Sequence, residues 1–462
     1  MADSNSKKSY LGLLVVVMTA SFVTPFMGSA VNVALPQIGN ELGIHADGLS
    51  WVAMSYILVS AVLLLPFGAL CDIIGRKRIF ITGMIIFSVA SYLCAISGST
   101  VMLFTSRALQ GLGSSMIFGT SMAMVMAAVP PNKRGSVIGT VVFATYTGLA
   151  IAPVIGGLMI HVMGWRSIFW LTFILCSLIS VGAFFWIRDE SVYHKASDFD
   201  FVGSVIYVLS LSLFMYGVSK ITETYAVILT ITGFTGLLLF IYYELRRENP
   251  LFNVRLFASN RIFAFSNLAA LINYAATFAI SFMLSLYLQY AKGMNPAEAG
   301  GILIAQPVVM AIVAPLSGRL SDRMQSRWLA SAGMAVIVVG LLPFVFIDNS
   351  TSITMIFISL LILGMGFGLF SSPNTNAVMS SVDRSLYGVA SATISTMRLT
   401  GQMLSMGIAS LAVHIFVGNR NIEAENLGDF IHATQLVFSI FIILCILGIF
   451  ASLARGHESQ KG

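Results

Sequence analysis

Apolar runs of about 20 residues, separated by short polar stretches, recur along the whole chain, and their pattern is the first thing the sequence settles. At a rise of about 1.5 Å per residue, each run is long enough for one helical crossing of a hydrocarbon layer about 30 Å thick. Fourteen such runs begin near Leu11, Trp51, Ile79, Val101, Ser136, Ile168, Val202, Tyr225, Phe263, Ala299, Leu329, Ile353, Tyr387 and Gln435. The expected fold is an all-α polytopic membrane protein with fourteen transmembrane helices.

Composition agrees. The 462 residues are 57% hydrophobic and only 10% charged, with a mean hydropathy of +0.90. A soluble core cannot hide that much apolar surface, since soluble domains carry about a quarter charged residues. The first apolar run continues past the length of a signal-peptide core without a convincing cleavage site, so it is expected to be retained as a span. Cys71, Cys94, Cys176 and Cys445 lie singly within apolar runs and read as small core residues, with no metal or disulfide spacing.

Charge orients the chain. With the N-terminus inside, 19 of the 25 Lys and Arg fall in cytoplasmic segments, and the outer loops hold Arg166, Lys220, Lys292 and Arg420. That bias predicts cytoplasmic N- and C-termini in a multi-pass protein of the cell membrane. The net charge of +6 is dispersed among these loops, so no nucleic-acid stripe is expected. Only Arg107 and Arg398 fall inside predicted spans, where an arginine must find a partner or water.

Two loops echo each other. Gly68-Ala-Leu-Cys-Asp72-Ile-Ile-Gly75-Arg76-Lys77-Arg78 follows the second span, and Gly318-Arg-Leu-Ser-Asp322-Arg323 follows the tenth. Their like placement suggests two parallel six-helix repeats, residues 1–190 and 262–462, with a helix pair and cytoplasmic linkers inserted at 191–261.

These residues resemble the Major Facilitator Superfamily, and in particular its fourteen-helix drug:proton antiporter branch, over nearly the whole chain. Gly68 to Arg78 is similar to the family's loop motif, which implies a gating role for Gly68, Asp72, Gly75, Arg76 and Lys77, and for Asp322 and Arg323 in the echo. Gly148-Leu-Ala-Ile-Ala-Pro153-Val-Ile-Gly156-Gly157 resembles the family's antiporter motif, with Ala152 where glycine is usual; its small residues are expected to pack and slide against the other half. Arg107-Ala-Leu-Gln110 resembles a further motif. The run from Asn32 to Pro36 matches the branch's first-helix pattern, but Met27 stands where that pattern often has aspartate.

Candidate cavity or coupling residues are Asn32, Arg107, Gln110, Asn273, Tyr274, Gln306, Arg398 and Gln402. Each can also be read as a packing bond, and Arg107 as an arginine satisfied by carbonyls of the first helix. Arg398 and Gln402, four apart, share a helix face. All 19 acidic residues fall in tails, loops or helix ends. The chain therefore lacks the mid-span carboxylate that is the simplest proton carrier, and an arginine-bearing cavity without a buried acid disfavours cations.

The resemblance implies a secondary active transporter that exports drugs or other small organic molecules by proton antiport through alternating access. A facilitator or exchanger of an anionic or neutral metabolite, and a non-transporting membrane sensor or scaffold, are the other readings. No nucleophile or metal constellation and no phosphate-binding loop supports an enzyme or an ATP-driven pump. The expected partners are a small-molecule substrate, protons and membrane lipids. No cofactor, metal, nucleic acid or obligate protein partner is expected.

Overall fold

The computed structural model describes residues 2–44, 46–130, 133–187, 199–219, 223–247, 254–294, 296–418 and 426–456, and among these it contains helices and no strand. Fourteen helices are long and apolar enough to cross a membrane. They are α1 (Ala2–Leu42), α2 (Ala46–Ile74), α3 (Arg76–Ala95), α4 (Thr100–Ala128), α5 (Arg134–Ile160), α6 (Arg166–Trp186) and α7 (Phe201–Ser219). They continue as α8 (Thr224–Glu244), α9 (Arg261–Leu288), α10 (Glu298–Ser321), α11 (Ser326–Val345), α12 (Ile353–Ser380), α13 (Tyr387–Val417) and α14 (Leu427–Leu453).

Local chemistry marks where several of them begin. Ser99, Asn260 and Ser352 each accept the N–H three residues on, which satisfies one of the free donors at the starts of α4, α9 and α12. Gly75 joins α2 to α3 with φ at 108°, a conformation that a side chain would strain. Chains of apolar side chains such as Leu158, Phe184, Phe185, Ile228 and Phe450 stay exposed, as lipid-facing positions should. The helix α4 is the most buried, with 72% of its apolar window inside, while α8 has 17%. Hence α4 is central to its bundle, and α8 is peripheral.

The chain divides into two compact units. The first comprises 1–208, 240–254 and 382–396, and so includes the beginning of α13; the second comprises 209–239, 255–381 and 397–462. In the first, α2 packs on α4, α3 on α4 and α6, and α1 on α4 and α6. In the second, α10 packs on α12, α11 on α12 and α14, and α9 on α12 and α14. Each of these pairings recurs eight helices later.

The repeat reaches atomic detail. With no driving force from water, helices in lipid associate by close packing, and small residues permit it. A Cβ on Gly83 would meet Gly113 O at 2.9 Å, and one on Gly113 would meet Gly83 O at 2.7 Å. In the second unit, Gly333 and Gly366 face each other in the same way, at 2.6 and 2.7 Å. Likewise Gly111 abuts Tyr56 O at 2.5 Å, and Gly364 abuts Gln306 O at 2.5 Å. Glycines that look like generic small residues in sequence are the crossing points of α4 with α2 and α3, and of α12 with α10 and α11.

Candidate functional site

The α2–α3 loop motif is built against the beginning of α13. A Cβ on Gly68 would lie 2.2 Å from Ala392 Cβ and 3.0 Å from Gly388 O, so α2 and α13 touch where neither could carry more bulk. Ser391 Oγ donates to Phe118 O of α4 at 3.0 Å, which fixes the same turn of α13. Two guanidinium groups lie over one ring: Arg76 Cζ is 5.8 Å and Arg134 Cζ 5.6 Å from the centroid of Tyr387, itself buried. An aromatic face attracts cations, the more so when desolvated. Lys77 instead turns to the Phe184 ring of α6 at 5.7 Å. The Asp72 side chain lies outside the described residues, as do those of Asn32 and Pro153.

The echo loop closes α10. Asp322 follows its last turn, half-buried, and Arg323 is exposed. Nearby, Ser317 Oγ donates to Gly368 O at 2.6 Å and Asn376 Nδ2 to Ser321 Oγ at 3.2 Å, so α10 and α12 are pinned by hydroxyls.

Arg107 is almost fully enclosed, at 1% exposure. Its Nε donates to Val52 O at 2.8 Å and its Nη1 to Gln110 Oε1 at 2.7 Å, with the Tyr56 ring 4.7 Å away. Gln110 Nε2 in turn donates to Ser91 Oγ at 2.7 Å. The carbonyl partner belongs to α2, where the sequence pointed to the first helix. Arg107 and Gln110 thus knit α2, α3 and α4 together. Tyr56 OH and Ser60 Oγ extend the seam to Ser114, at 2.8 and 3.1 Å.

The α5 motif contains a π-helical turn, Ala152–Gly156, followed by helix again from Gly157. Its glycines face α1: a Cβ on Gly148 would meet Phe22 O at 2.4 Å, and one on Gly156 would meet Ala30 Cβ at 3.0 Å. These glycines of the motif therefore pack on α1. A π-turn widens the helix locally, which accommodates a proline without breaking the span.

In the second unit, α9 is interrupted between Ala275 and Ile280, and α10 between Leu303 and Ala305. The candidate amides flank these breaks. Asn273 is fully buried with neither Nδ2 nor Oδ1 hydrogen-bonded, and Gln306 is buried with its Oε1 unbonded. Tyr274 meets Phe367 edge-on, with ring centroids 5.5 Å apart. A Cβ on Gly401 would stand 2.9 Å from Tyr274 Cβ, so the second part of α13 packs on α9 at this level. Arg398 and Gln402 are half-buried on that same helix. The structure thus gathers Asn273 and Tyr274 with the α13 segment that carries Arg398 and Gln402, while Arg107 and Gln110 belong to the first unit.

Two polar clusters were invisible to sequence reasoning. Arg166 binds Glu41 through Nη1 and Ser97 O through Nη2 at 2.8 Å, while Trp165 Nε1 donates to Glu41 Oε2 at 2.7 Å. These bonds, led by Arg166, hold the Glu41 carboxyl below its ordinary range. At the opposite end, Asp200 caps α7 by accepting Gly203 N–H at 2.8 Å, and it also meets Tyr243 OH at 3.3 Å and Arg247 Nε at 3.5 Å. Each joins residues far apart in the chain, so only an acid at a helix end beside an aromatic or basic loop could have hinted at them. No cluster of three or more metal-ligating side chains occurs among the described residues, and all four cysteines are buried thiols outside any disulfide.

Comparison with known proteins fits this architecture. The chain is 25% identical to the riboflavin transporter RibZ of Clostridioides difficile, over 97% of its own length and 98% of the relative's. It is 29% identical to the multidrug resistance protein Stp of Mycobacterium tuberculosis, over 82% of this chain and 71% of that one. The solved structure of the human organic anion transporter MFSD10 (TETRAN) superimposes with a TM-score of 0.69 at 13% identity, covering 97% of this chain and 98% of that one, a likeness of fold. The profile described as Major Facilitator Superfamily matches residues 17–406 and 266–461, and the chain belongs to that family of membrane transporters.

Proposed function

We propose that this transporter exports small organic molecules from the cell by alternating access, with the α2–α3 loop on the cytoplasmic side. The observation that carries this reading is the seat of Gly68 on Ala392 and Gly388. Helices meeting through the smallest side chains, with cations resting on the Tyr387 ring, form a contact that closes tightly and parts without leaving unpaired backbone groups. Such a contact suits a gate that must open in every cycle. The bias of Lys and Arg toward that side supports the orientation, and relatives that include a multidrug resistance protein support export.

Proton antiport is the coupling that the family resemblance favours. A second reading, exchange or facilitated passage of an uncharged or anionic metabolite, is favoured by Met27. That side chain is buried in the apolar core, with Thr172 Oγ1 donating to its sulfur at 3.1 Å. The position is packed shut, with no acid to carry a proton. Proteoliposomes with an imposed pH gradient separate the two readings. Uptake of anionic, neutral and cationic amphiphiles that collapses with an uncoupler supports antiport; uptake indifferent to the gradient supports exchange. No uptake of any class would overturn the transport reading.

A further inference from the structure

We propose that Asn273 is the specificity residue of the second unit, and that its cargo is an uncharged aromatic heterocycle whose rim carries a carbonyl beside an N–H. This deepens the transport reading above and rests on it. An asparagine amide offers an acceptor and donors side by side, the complement of a lactam or imide edge. Here both ends are orphaned at 0% exposure. Burying polar atoms without partners is destabilising. Asn273 is the one amide among the described residues whose donor and acceptor are both buried without a partner, and alternating access requires a transporter's site to be sealed in part of its cycle.

The surroundings are prepared for one. Asn273 lies twelve residues into α9, roughly 18 Å along it and so near mid-span. The helix stops two residues later, and the gap is braced. Thr277 Oγ1 donates back to Asn273 O at 2.6 Å, and the Ala279 N–H is taken by Ser405 Oγ of α13 at 3.0 Å. Irregular backbone at membrane depth is tolerated where protein buries it or where it lines a cavity, and broken helices commonly form transporter sites. The neighbouring Tyr274–Phe367 ring pair supplies aromatic surface. Gln306 Oε1 on α10 and Asn267 Oδ1, six residues before Asn273 on α9, are further buried acceptors without a partner in this unit.

Charge sets the class. Asn273 and Gln306 are neutral amides, which reward hydrogen bonds and offer no counter-charge to an ion. On α13, Arg398 is three residues before Gly401 and seven before Ser405, so it lies on the stripe that faces α9, and a cationic cargo would meet it.

The test uses the full-length protein in nanodiscs, with lumiflavin and its N3-methyl derivative as fluorescent probes. They share a ring system and differ in one imide N–H. The wild type should bind lumiflavin about tenfold more tightly than the methylated probe, and Asn273→Leu should abolish the difference. Because leucine removes an unpaired buried amide, that variant should unfold at the same temperature or higher. Undiminished discrimination in Asn273→Leu, tighter binding of the methylated probe, or no binding of lumiflavin at all would overturn the inference. So would a lowered melting temperature with discrimination intact, the mark of a structural amide. Binding that shows the expected pattern, without any transport in proteoliposomes, would sink the transport reading and leave the recognition intact.

Discussion

Replacing Gly68 with alanine should prise α2 from the beginning of α13. The added Cβ falls 2.2 Å from Ala392 Cβ, whereas ordinary contact begins at 3.4 Å, so the helices must part by more than an ångström. Both atoms are fixed to backbone, and no rotamer relieves the clash. Overpacking of this kind costs about 1–3 kcal/mol, which lowers the closed population about 5- to 150-fold. A native reporter stands at the contact: Cys71 is fully buried, and its Sγ donates to Gly68 O at 3.0 Å. With Cys94, Cys176 and Cys445 changed to alanine, labelling of Cys71 by a water-soluble maleimide should accelerate by that factor in Gly68→Ala. Adding Ala392→Gly removes the opposing methyl and should restore the parental rate. Equal labelling of Gly68→Ala and its parent, or no rescue by Ala392→Gly, would refute the close approach and the gate built on it.

Arg107→Lys keeps the charge but not the fork that reaches Val52 O and Gln110 together, and it should cost about 1.5–3 kcal/mol of stability. Thermal unfolding in nanodiscs checks this, and a lysine variant as stable as wild type would show that the bonds do not matter. The Glu41 carboxyl is held below its ordinary value of 4.5, first by Arg166 and then by Trp165, so the clasp contributes stability above the ordinary carboxylate range and loses it as pH falls through the lowered value. Wild type should therefore exceed Glu41→Gln in melting temperature at neutral pH and match it in acid; a gap independent of pH would contradict the clasp. Asp200→Ala should cost about 1 kcal/mol through the lost cap on α7, and Asp200→Asn, which can still accept from Gly203, should retain most of it, as melting temperatures will show. Gly366→Val should unfold the second unit or abolish its expression, as should Gly113→Val in the first, because each Cβ would press on backbone of a neighbouring helix.

The echo of Gly68–Arg78 in Gly318–Arg323 suggested that two halves share one plan, and in the structure the pairings of α2 and α3 with α4, of α3 with α6, and of α1 with α4 and α6 recur eight helices later. Which glycines mattered was less legible. Gly111 and Gly113 look alike in sequence, yet one meets α2 and the other α3, because they are two residues and about 200° apart around α4. Arg107 posed the same difficulty. A charge inside an apolar run announces that a partner exists, but the partner, Val52 O, is a backbone carbonyl that no side-chain pattern reveals. At the position of Arg107 the second repeat has Leu360, and at that of Gln110 it has Leu363, both buried. The polar seam is therefore confined to one half, while these helix crossings are common to both.

Lipid explains the division between what the sequence determined and what the tertiary structure decided. A hydrocarbon solvent forces every span to satisfy its own backbone and to be apolar for about 20 residues, so span number, loop positions and charge bias were all written along the chain. The same solvent erases the contrast between inward and outward faces, since leucine suits lipid and core equally well. Only the folded chain could therefore bring Tyr387 under Arg76 and Arg134, join Glu41 to Arg166 across more than a hundred residues, turn the α5 glycines toward α1, and leave the amide of Asn273 unanswered beside a break in its own helix.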